Sequence, residues 1–279
     1  MELIPLWEGA SQEALLGHET FLPEITTTGK LRLIRNVRAP SLTVHTPDPS
    51  VATGTGVILC PGGSFATLPH WDDPEIDGIV RRLTEPGLTV FLLRYHLMPT
   101  PRDDGEFVRA IMSGTMDPIK AHARVAENDA FLAMRVVRER AASWAVDPWR
   151  VGIMGFSAGG LLTIVAATGY DADTRPDFAA PIYGTCFDPY TVPPDAPPLF
   201  VSFAGDDVGE GVVSSGLALY TAWHEAGRPA ELHAYAEGGH RFASAPPGLP
   251  SSAWTDRFLD WLGHAGFLGR RGYRAASHP

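Results

Sequence analysis

"VGIMGFSAGG", residues 151–160, runs from an uninterrupted apolar stretch into a serine fenced by small residues. The stretch up to Phe156 has the composition of a buried strand, and "LLTIVAATGY" after it reads as a helix. Strand, turn and helix in that order open a parallel β-α-β unit. Gly155 and Gly159 flank Ser157 and leave room for a sharp turn that holds its hydroxyl clear of bulk. Alone, G-x-S-x-G also suits a glycine-lined turn with an idle serine, so the rest of the chain has to decide.

The same grammar repeats on both sides. Residues 31–46, "LRLIRNVRAPSLTVHT", read as two short strands around Pro40. "TGVILCPGG" (55–63) is a buried strand closed by proline and glycines, and "LTVFLLRY" (88–95) is another. Between them "DPEIDGIVRRL" (73–83) puts Ile76, Ile79, Val80 and Leu83 on one helical face, with acids in the first turn. Residues 122–146 read as one long amphipathic helix. "FAAPIYG" (178–184), "PLFVSFAG" (198–205) and "ELHAYAE" read as strands. "VVSSGLALYTAWHEAG" and "SAWTDRFLDWLGHAG" read as helices, and "PPDAPPLF" (193–200) is a rigid entry into a strand. Alternating strands and helices predict an α/β fold with a mostly parallel central sheet covered on both faces. With no repeat and no long linker, residues 1–279 are expected to form a single domain. Residues 96–121, with prolines, mixed charge and the piece "FVRAIMSG", are expected to leave the core as a cap or lid.

A serine becomes a nucleophile only beside a base. Past the strand "VSFA" stand Asp206 and Asp207, with Glu210 close behind. Past "ELHAYAE" the glycine loop "AEGGHRF" carries His240. Both groups follow strand C-terminal ends, where an open parallel sheet builds its site. The order serine, acid, histidine suits a triad in which His240 takes the Ser157 proton and a carboxylate holds the imidazole. An oxyanion would need two N–H donors. Ala158 at the start of its helix offers one, and the turn "CPGGSF" with Gly62, Gly63 and Ser64 offers the other.

Composition narrows the classes. The formal net charge is -10, which repels nucleic acid phosphates. Cys60 and Cys186 show neither CxxC nor zinc-type spacing, so no disulfide framework and no metal site are expected. No apolar run reaches the roughly 20 residues of a membrane span. "MELIPLWEGA" lacks a basic region followed by an apolar one, and the expected location is the cytoplasm. A monomer or homodimer is expected.

Four pieces, "PGGSF", "GFSAGG", "AGDDVGE" and "GGHRF", together resemble the α/β-hydrolase superfamily. "LLRYHLMP" (92–99), residues 127–160, the opening "IPLWEGA" and "ELHAYAEGGHRF" (231–242) are similar to its bacterial acetylxylan- and feruloyl-esterase-like carbohydrate esterases. The resemblance implies an α/β-hydrolase fold and hydrolysis of short-chain, acetyl-type carboxylic esters through an acyl-enzyme, with a small-molecule ester as partner and no cofactor. It implies Ser157, Asp207 and His240 as triad, with the family's acid loop favouring Asp207 over Asp206, and Gly62, Gly63 and Ala158 as oxyanion hole. Alternatives of the same fold are an amide or peptide hydrolase and a catalytically silent binding module. Three departures stand out. Ser64 replaces a third glycine, residues 98–125 exceed the usual connection, and Arg241 stands where a small residue is common. Arg241 is open to two readings, a contact for an acidic substrate group or a solvated side chain.

Other candidates have plainer readings. His70, Asp72, Asp73, Glu75 and Asp77 read as an acid-rich helix start rather than a metal site. Trp71 is placed at the pocket rim. Tyr183 either packs or touches substrate. Asp129 is expected to meet an arginine, Cys60 to be a buried hydrophobe and Cys186 to be inert. Trp144, Trp149, Trp254 and Trp261 are expected to pack.

Overall fold

Val57, Ile58 and Leu59 are fully buried, as are Val90, Phe91 and Leu93, and Val151, Ile153 and Met154. Strands apolar on both faces belong in the middle of a sheet with helices on either side. A computed structural model describes residues 3–22, 31–70, 72–113, 119–186, 188–244 and 248–269. In chain order the elements are β1 (Leu3–Pro5), α1 (Gln12–Leu16), β2 (His18–Leu22), β3 (Leu31–Arg35), β4 (Ser41–His45), β5 (Gly56–Cys60) and β6 (Leu68–Pro69). They continue with α2 (Pro74–Thr84), β7 (Thr89–Arg94), α3 (Asp104–Met112), α4 (Ile119–Glu139), β8 (Val151–Phe156) and α5 (Ala158–Thr168). The last are β9 (Ala179–Ile182), β10 (Leu199–Ala204), α6 (Val212–Glu225), β11 (Ala230–Tyr235) and α7 (Trp254–His264).

The main sheet has eight strands in the order β1-β4-β7-β5-β8-β9-β10-β11. From β7 to β11 every neighbour pair is parallel. At the other edge β1 and β4 run antiparallel. The expectation of a mostly parallel sheet therefore holds. A second sheet, β2-β3-β6, is antiparallel and has no counterpart in the sequence reading beyond β3. Its third strand has two residues, one of them proline, and is held against Leu33 and Ile34. A strand that short carries no periodicity.

Three local expectations change. The long helix does not run to residue 146. It ends at Glu139, a short 3-10 turn covers Ala141–Trp144, and Ala145 closes that turn at φ 53°. Residues 96–121 also contain more regular structure than a loop. Asp103 caps α3 by accepting from the Glu106 N–H at 2.8 Å, and α4 begins at Ile119. The segment is anchored by Arg35, whose side chain is fully buried. Its guanidinium donates to Thr100 Oγ1 (3.0 Å), the Pro101 and Arg102 carbonyls and Asp104 Oδ1 (2.6 Å), and lies 4.2 Å from the Phe107 ring centroid. Burial pulls the Arg35 pKa down and Asp104 works against it. Residues 114–118 lie outside the described residues. Finally, Trp149 is 74% exposed rather than packed, with the Arg138 guanidinium 5.9 Å from its ring. Trp254 and Trp261 are buried and Trp144 packs on Phe91.

Candidate active site

The chain reverses between β8 and α5 at Ser157, whose φ of 53° and ψ of -115° are costly for any residue with a side chain. The Ser157 N–H donates to Ile182 O at 3.1 Å and pins the turn to the end of β9. The neighbouring glycines have a more specific cause than room for the hydroxyl. A Cβ on Gly155 would lie 2.1 Å from Gly159 O, and one on Gly159 would lie 2.0 Å from Cys60 O. The elbow is wedged against the exit of β5, and backbone is what fills the space.

β10 and β11 pair in parallel, Ala204 opposite Tyr235, so the loops that follow them leave side by side. One brings Asp207 and the other His240. His240 Nε2 lies 2.9 Å from Ser157 Oγ, and Nδ1 lies 3.0 and 2.9 Å from the two Asp207 oxygens. The Asp207 side chain is fully buried, while that of His240 is 33% exposed. Asp207 Oδ1 also accepts the Gly209 N–H at 2.7 Å. A buried carboxylate behind an imidazole that faces a strained serine is the geometry of a nucleophile with its base and orienting acid.

Asp206 faces elsewhere. Its carboxylate accepts the N–H of Gly239 at 2.8 Å and of Gly238 at 3.2 Å. Those bonds, Gly239's first, hold its carboxyl below the usual carboxylate range. Glu210 meets the region through its carbonyl, which accepts from Thr185 Oγ1 at 3.3 Å. Of the three acids, Asp207 is the one against His240.

The turn after β5 lies against the serine. A Cβ on Gly62 would be 3.2 Å from Ser157 Cβ. Gly63 sits at φ 139°, and a Cβ there would be 2.0 Å from Thr67 O, so this position requires glycine. Ser64 and Phe65 follow at φ 53° and 57°. Among the described residues no acceptor takes the N–H of Gly63, Ser64 or Ala158. The turn is braced at both ends, where Tyr95 Oη donates to Pro61 O at 2.7 Å and Met98 N donates to Phe65 O at 2.7 Å.

Ser157 and His240 open into a cavity of about 250 Å³ that Gly62, Gly63 and Ser64 also line. Phe156 and Tyr183 form one wall, Ile76 and Ile79 of α2 another, and Leu33 and Pro69 of the smaller sheet a third. No described residue of 96–121 lines it. Ala158 is not among the lining residues. Tyr183 lines the cavity and also packs, its ring centroid 5.1 Å from His240 and from Phe242. Burial pushes its phenol far above the ordinary range. Arg241, at φ 75°, is about half exposed, and its Nη2 donates to Glu75 Oε2 at 2.7 Å.

The remaining candidates resolve into structure. Asp73 caps α2, accepting the N–H groups of Glu75 (3.0 Å) and Ile76 (3.1 Å). His70 bonds to Asp72 and lies 3.1 Å from Glu19, with Arg32 beside them. Among the described residues no group of three His, Cys, Asp or Glu side chains could hold a metal ion. Trp71 lies outside the described residues. Asp129 meets His96, not an arginine, accepting its N–H at 2.7 Å and its Nδ1 at 2.8 Å. Burial pushes the Asp129 carboxyl up and the His96 bonds oppose that. Cys60 is buried, which pushes its thiol up, and Cys186 is half-buried with its Sγ 3.1 Å from Asp188 O. No described helix is long and apolar enough to cross a membrane.

Comparison with known proteins places this geometry. A model described as "Dienelactone hydrolase family" matches residues 71–265. An acetylxylan esterase of Xylanibacter ruminicola is 27% identical over 227 residues, which cover 70% of this chain. The chain spans only 42% of the length of that esterase. Among solved structures, an acetyl ester-xyloside bifunctional hydrolase from Caldicellulosiruptor lactoaceticus matches with a TM-score of 0.63 and 22% identity, covering 96% of this chain and 97% of that one. MGS-M1, an alpha/beta hydrolase enzyme from a Medee basin deep-sea metagenome library, matches at 0.62 and 17%, covering 91% and 99%. The fold is that of the α/β-hydrolases.

Proposed function

The chain belongs to the dienelactone hydrolase family, and from that premise we propose that it is a serine esterase for short-chain, acetyl-type carboxylic esters. The observation that carries the reading is the contact of Ser157 Oγ with His240 Nε2 at 2.9 Å, with the buried Asp207 carboxylate on the other imidazole nitrogen. Ser157 Oγ attacks the carbonyl carbon while His240 Nε2 takes its proton. The oxyanion rests on N–H groups of the 62–64 turn and of Ala158. The tetrahedral intermediate collapses as His240 protonates the leaving alcohol, leaving an acyl-Ser157. Water then attacks that ester, His240 again taking and returning the proton, and the acid leaves. Every group in these steps belongs to the chain or to water.

The cavity of about 250 Å³ supports a short acyl group, being below the roughly 300–1,000 Å³ of drug-sized pockets. For the alcohol half we propose a sugar, on the strength of the acetylxylan esterase similarity. No observation favours an amide hydrolase or a silent binding module over an esterase. The same reading takes the enzyme as cytoplasmic, which the thiol state of Cys60 and Cys186 supports, and as a monomer or homodimer. The test is a p-nitrophenyl ester series from acetate to octanoate, run beside acetylated xylo-oligosaccharides and an amide panel, with wild type and Ser157→Ala. The expected result is turnover that is highest on acetate and absent in the variant. Wild-type inactivity on all esters would sink the reading.

A further inference from the structure

We propose that Asp206 is a positioning residue for the reaction, fixing through two backbone amides the loop that presents His240 to Ser157. The proposal rests on the triad reading above.

The His240 loop cannot hold itself. Gly238, Gly239 and Arg241 stand at φ of 154°, 64° and 75°, so three of the four residues from 238 to 241 lie in the region that regular structure avoids. The loop leaves β11 at Tyr235, and the N–H groups of Gly238 and Gly239 point back toward the neighbouring loop rather than into a helix or ladder. Consecutive amides turned to one side form a concave anion site. Asp206 fills it, Oδ1 to Gly239 N at 2.8 Å and Oδ2 to Gly238 N at 3.2 Å. One carboxylate oxygen serves each amide, so the contact sets the orientation of the 238–239 peptide as well as its distance.

Asp206 and Asp207 thus divide one task. They are adjacent in sequence, and both follow β10, whose last residue Ala204 is paired with Tyr235, the last of β11. Gly205 N donates to Tyr235 O at 2.7 Å, so the two loops are joined where they leave the sheet. From that joint Asp207 turns inward to the His240 imidazole and Asp206 outward to the backbone of Gly238 and Gly239, just ahead of His240. A proton transfer between Ser157 Oγ and His240 Nε2 depends on that imidazole being held in place, and a misplacement of about 1 Å can cost roughly 100-fold in rate. Removing Asp206 leaves the chemistry present but loosens the frame that carries it. Other restraints on the loop include Glu75, which holds the exposed end of Arg241, and the Tyr183 ring 5.1 Å from the imidazole. Neither touches the 238–239 amides.

The experiment measures kcat and KM on p-nitrophenyl acetate for wild type, Asp206→Ala, Asp206→Asn and Asp207→Asn, with thermal midpoints taken on the same samples. The expected result is a fall of about 10- to 100-fold in kcat for Asp206→Ala at a KM within about 2-fold of wild type. Asp206→Asn, whose amide oxygen still accepts from one N–H, should recover part of that loss. A purely structural role would lower the thermal midpoint and leave kcat at 25 °C unchanged, which overturns the proposal. A rise in KM at constant kcat overturns it as well. If Asp206→Ala is inactive and Asp207→Asn is not, Asp206 is itself the triad acid, and both this proposal and the triad reading fall. If Asp206→Ala does not fold, the Asp206→Asn variant decides, since kcat equal to wild type there removes any need for two carboxylate oxygens.

Discussion

Arg241 ties the loop that carries His240 to the first turn of α2, its Nη2 2.7 Å from Glu75 Oε2. Both side chains are among those lining the cavity, and both are about half exposed. A solvated pair of this kind contributes about 0–1 kcal/mol to stability. Arg241→Ala is therefore expected to keep the fold, with kcat on p-nitrophenyl acetate within about 3-fold of wild type. The change should appear in selectivity, because an uncompensated Glu75 carboxylate then faces the entrance. Turnover of an ester bearing a carboxylate should fall relative to a neutral ester of the same acyl chain, and equal ratios in the two proteins would refute this.

The triad geometry predicts a second set of losses. Ser157→Ala should lower kcat on short esters by at least about 10⁴-fold, with binding largely intact. Asp207→Asn should cost a similar factor, because the amide cannot hold the imidazole in the tautomer that accepts from serine. Both are read by steady-state kinetics, and a fluorophosphonate probe should label wild type at Ser157 and leave Ser157→Ala unlabelled.

Backbone crowding at the elbow predicts a stability effect with little ambiguity. A Cβ on Gly159 would stand 2.0 Å from Cys60 O and 2.6 Å from Pro61 O, atoms that no side-chain rotation can move. Gly159→Ala should destabilise by roughly 1–3 kcal/mol or more, as overpacking does. It should also displace the 62–64 turn. Chemical denaturation and kcat are expected to fall together, and an unchanged unfolding midpoint would contradict the crowding.

The pair of His96 and Asp129 predicts a pH dependence. Burial pulls the His96 imidazole down, but the hydrogen bond and charge of Asp129 outweigh it and leave the pKa above its ordinary value. Burial raises the Asp129 carboxyl too, so the folded state holds protons at this pair more tightly than the unfolded chain. The sign follows from linkage. The His96 contribution is complete below the unfolded value of about 6.5 and is lost as pH rises through the higher folded one. Relative to His96→Asn, the wild-type thermal midpoint should decline as pH rises from about 6 to about 8. A parallel pair of curves would show that the pair does not titrate there.

How much of this could be read from the sequence depends on how far apart the partners are. Ser157, the Asp206–Asp207 pair and His240 were legible as candidates because each follows a strand, and a parallel sheet delivers all such ends to one edge. The turn at 62–64 was legible for the same reason. Which of two adjacent aspartates meets the imidazole was not legible from the residues themselves, since that depends on the twist of a turn only one residue past the strand. The glycines of the elbow were visible, but their cause was not, because Gly159 is crowded by Cys60, nearly a hundred positions away. The smaller sheet escaped notice because β2, HETFL, does not alternate polar with apolar residues and β6 has only two residues. With it went the part of the cavity lining made by Leu33 and Pro69. Arg241 and Glu75, 166 positions apart, were each noticed without the other.

The burial of Arg35 has a mechanical consequence. Its guanidinium sits inside a collar of Thr100, the Pro101 and Arg102 carbonyls and Asp104, while its backbone is a rung of β3. A charge so enclosed cannot slide out without exposing itself and abandoning every acceptor at once, so strand and collar open as one cooperative unit or stay shut together. Leu33 lies two residues away on that same strand and lines the cavity into which Ser157 opens. Any breathing that makes room for a bulkier acyl chain on that side must therefore drag the 100–107 segment along, which makes a distant, solvent-facing stretch of chain the brake on how far the cavity can stretch.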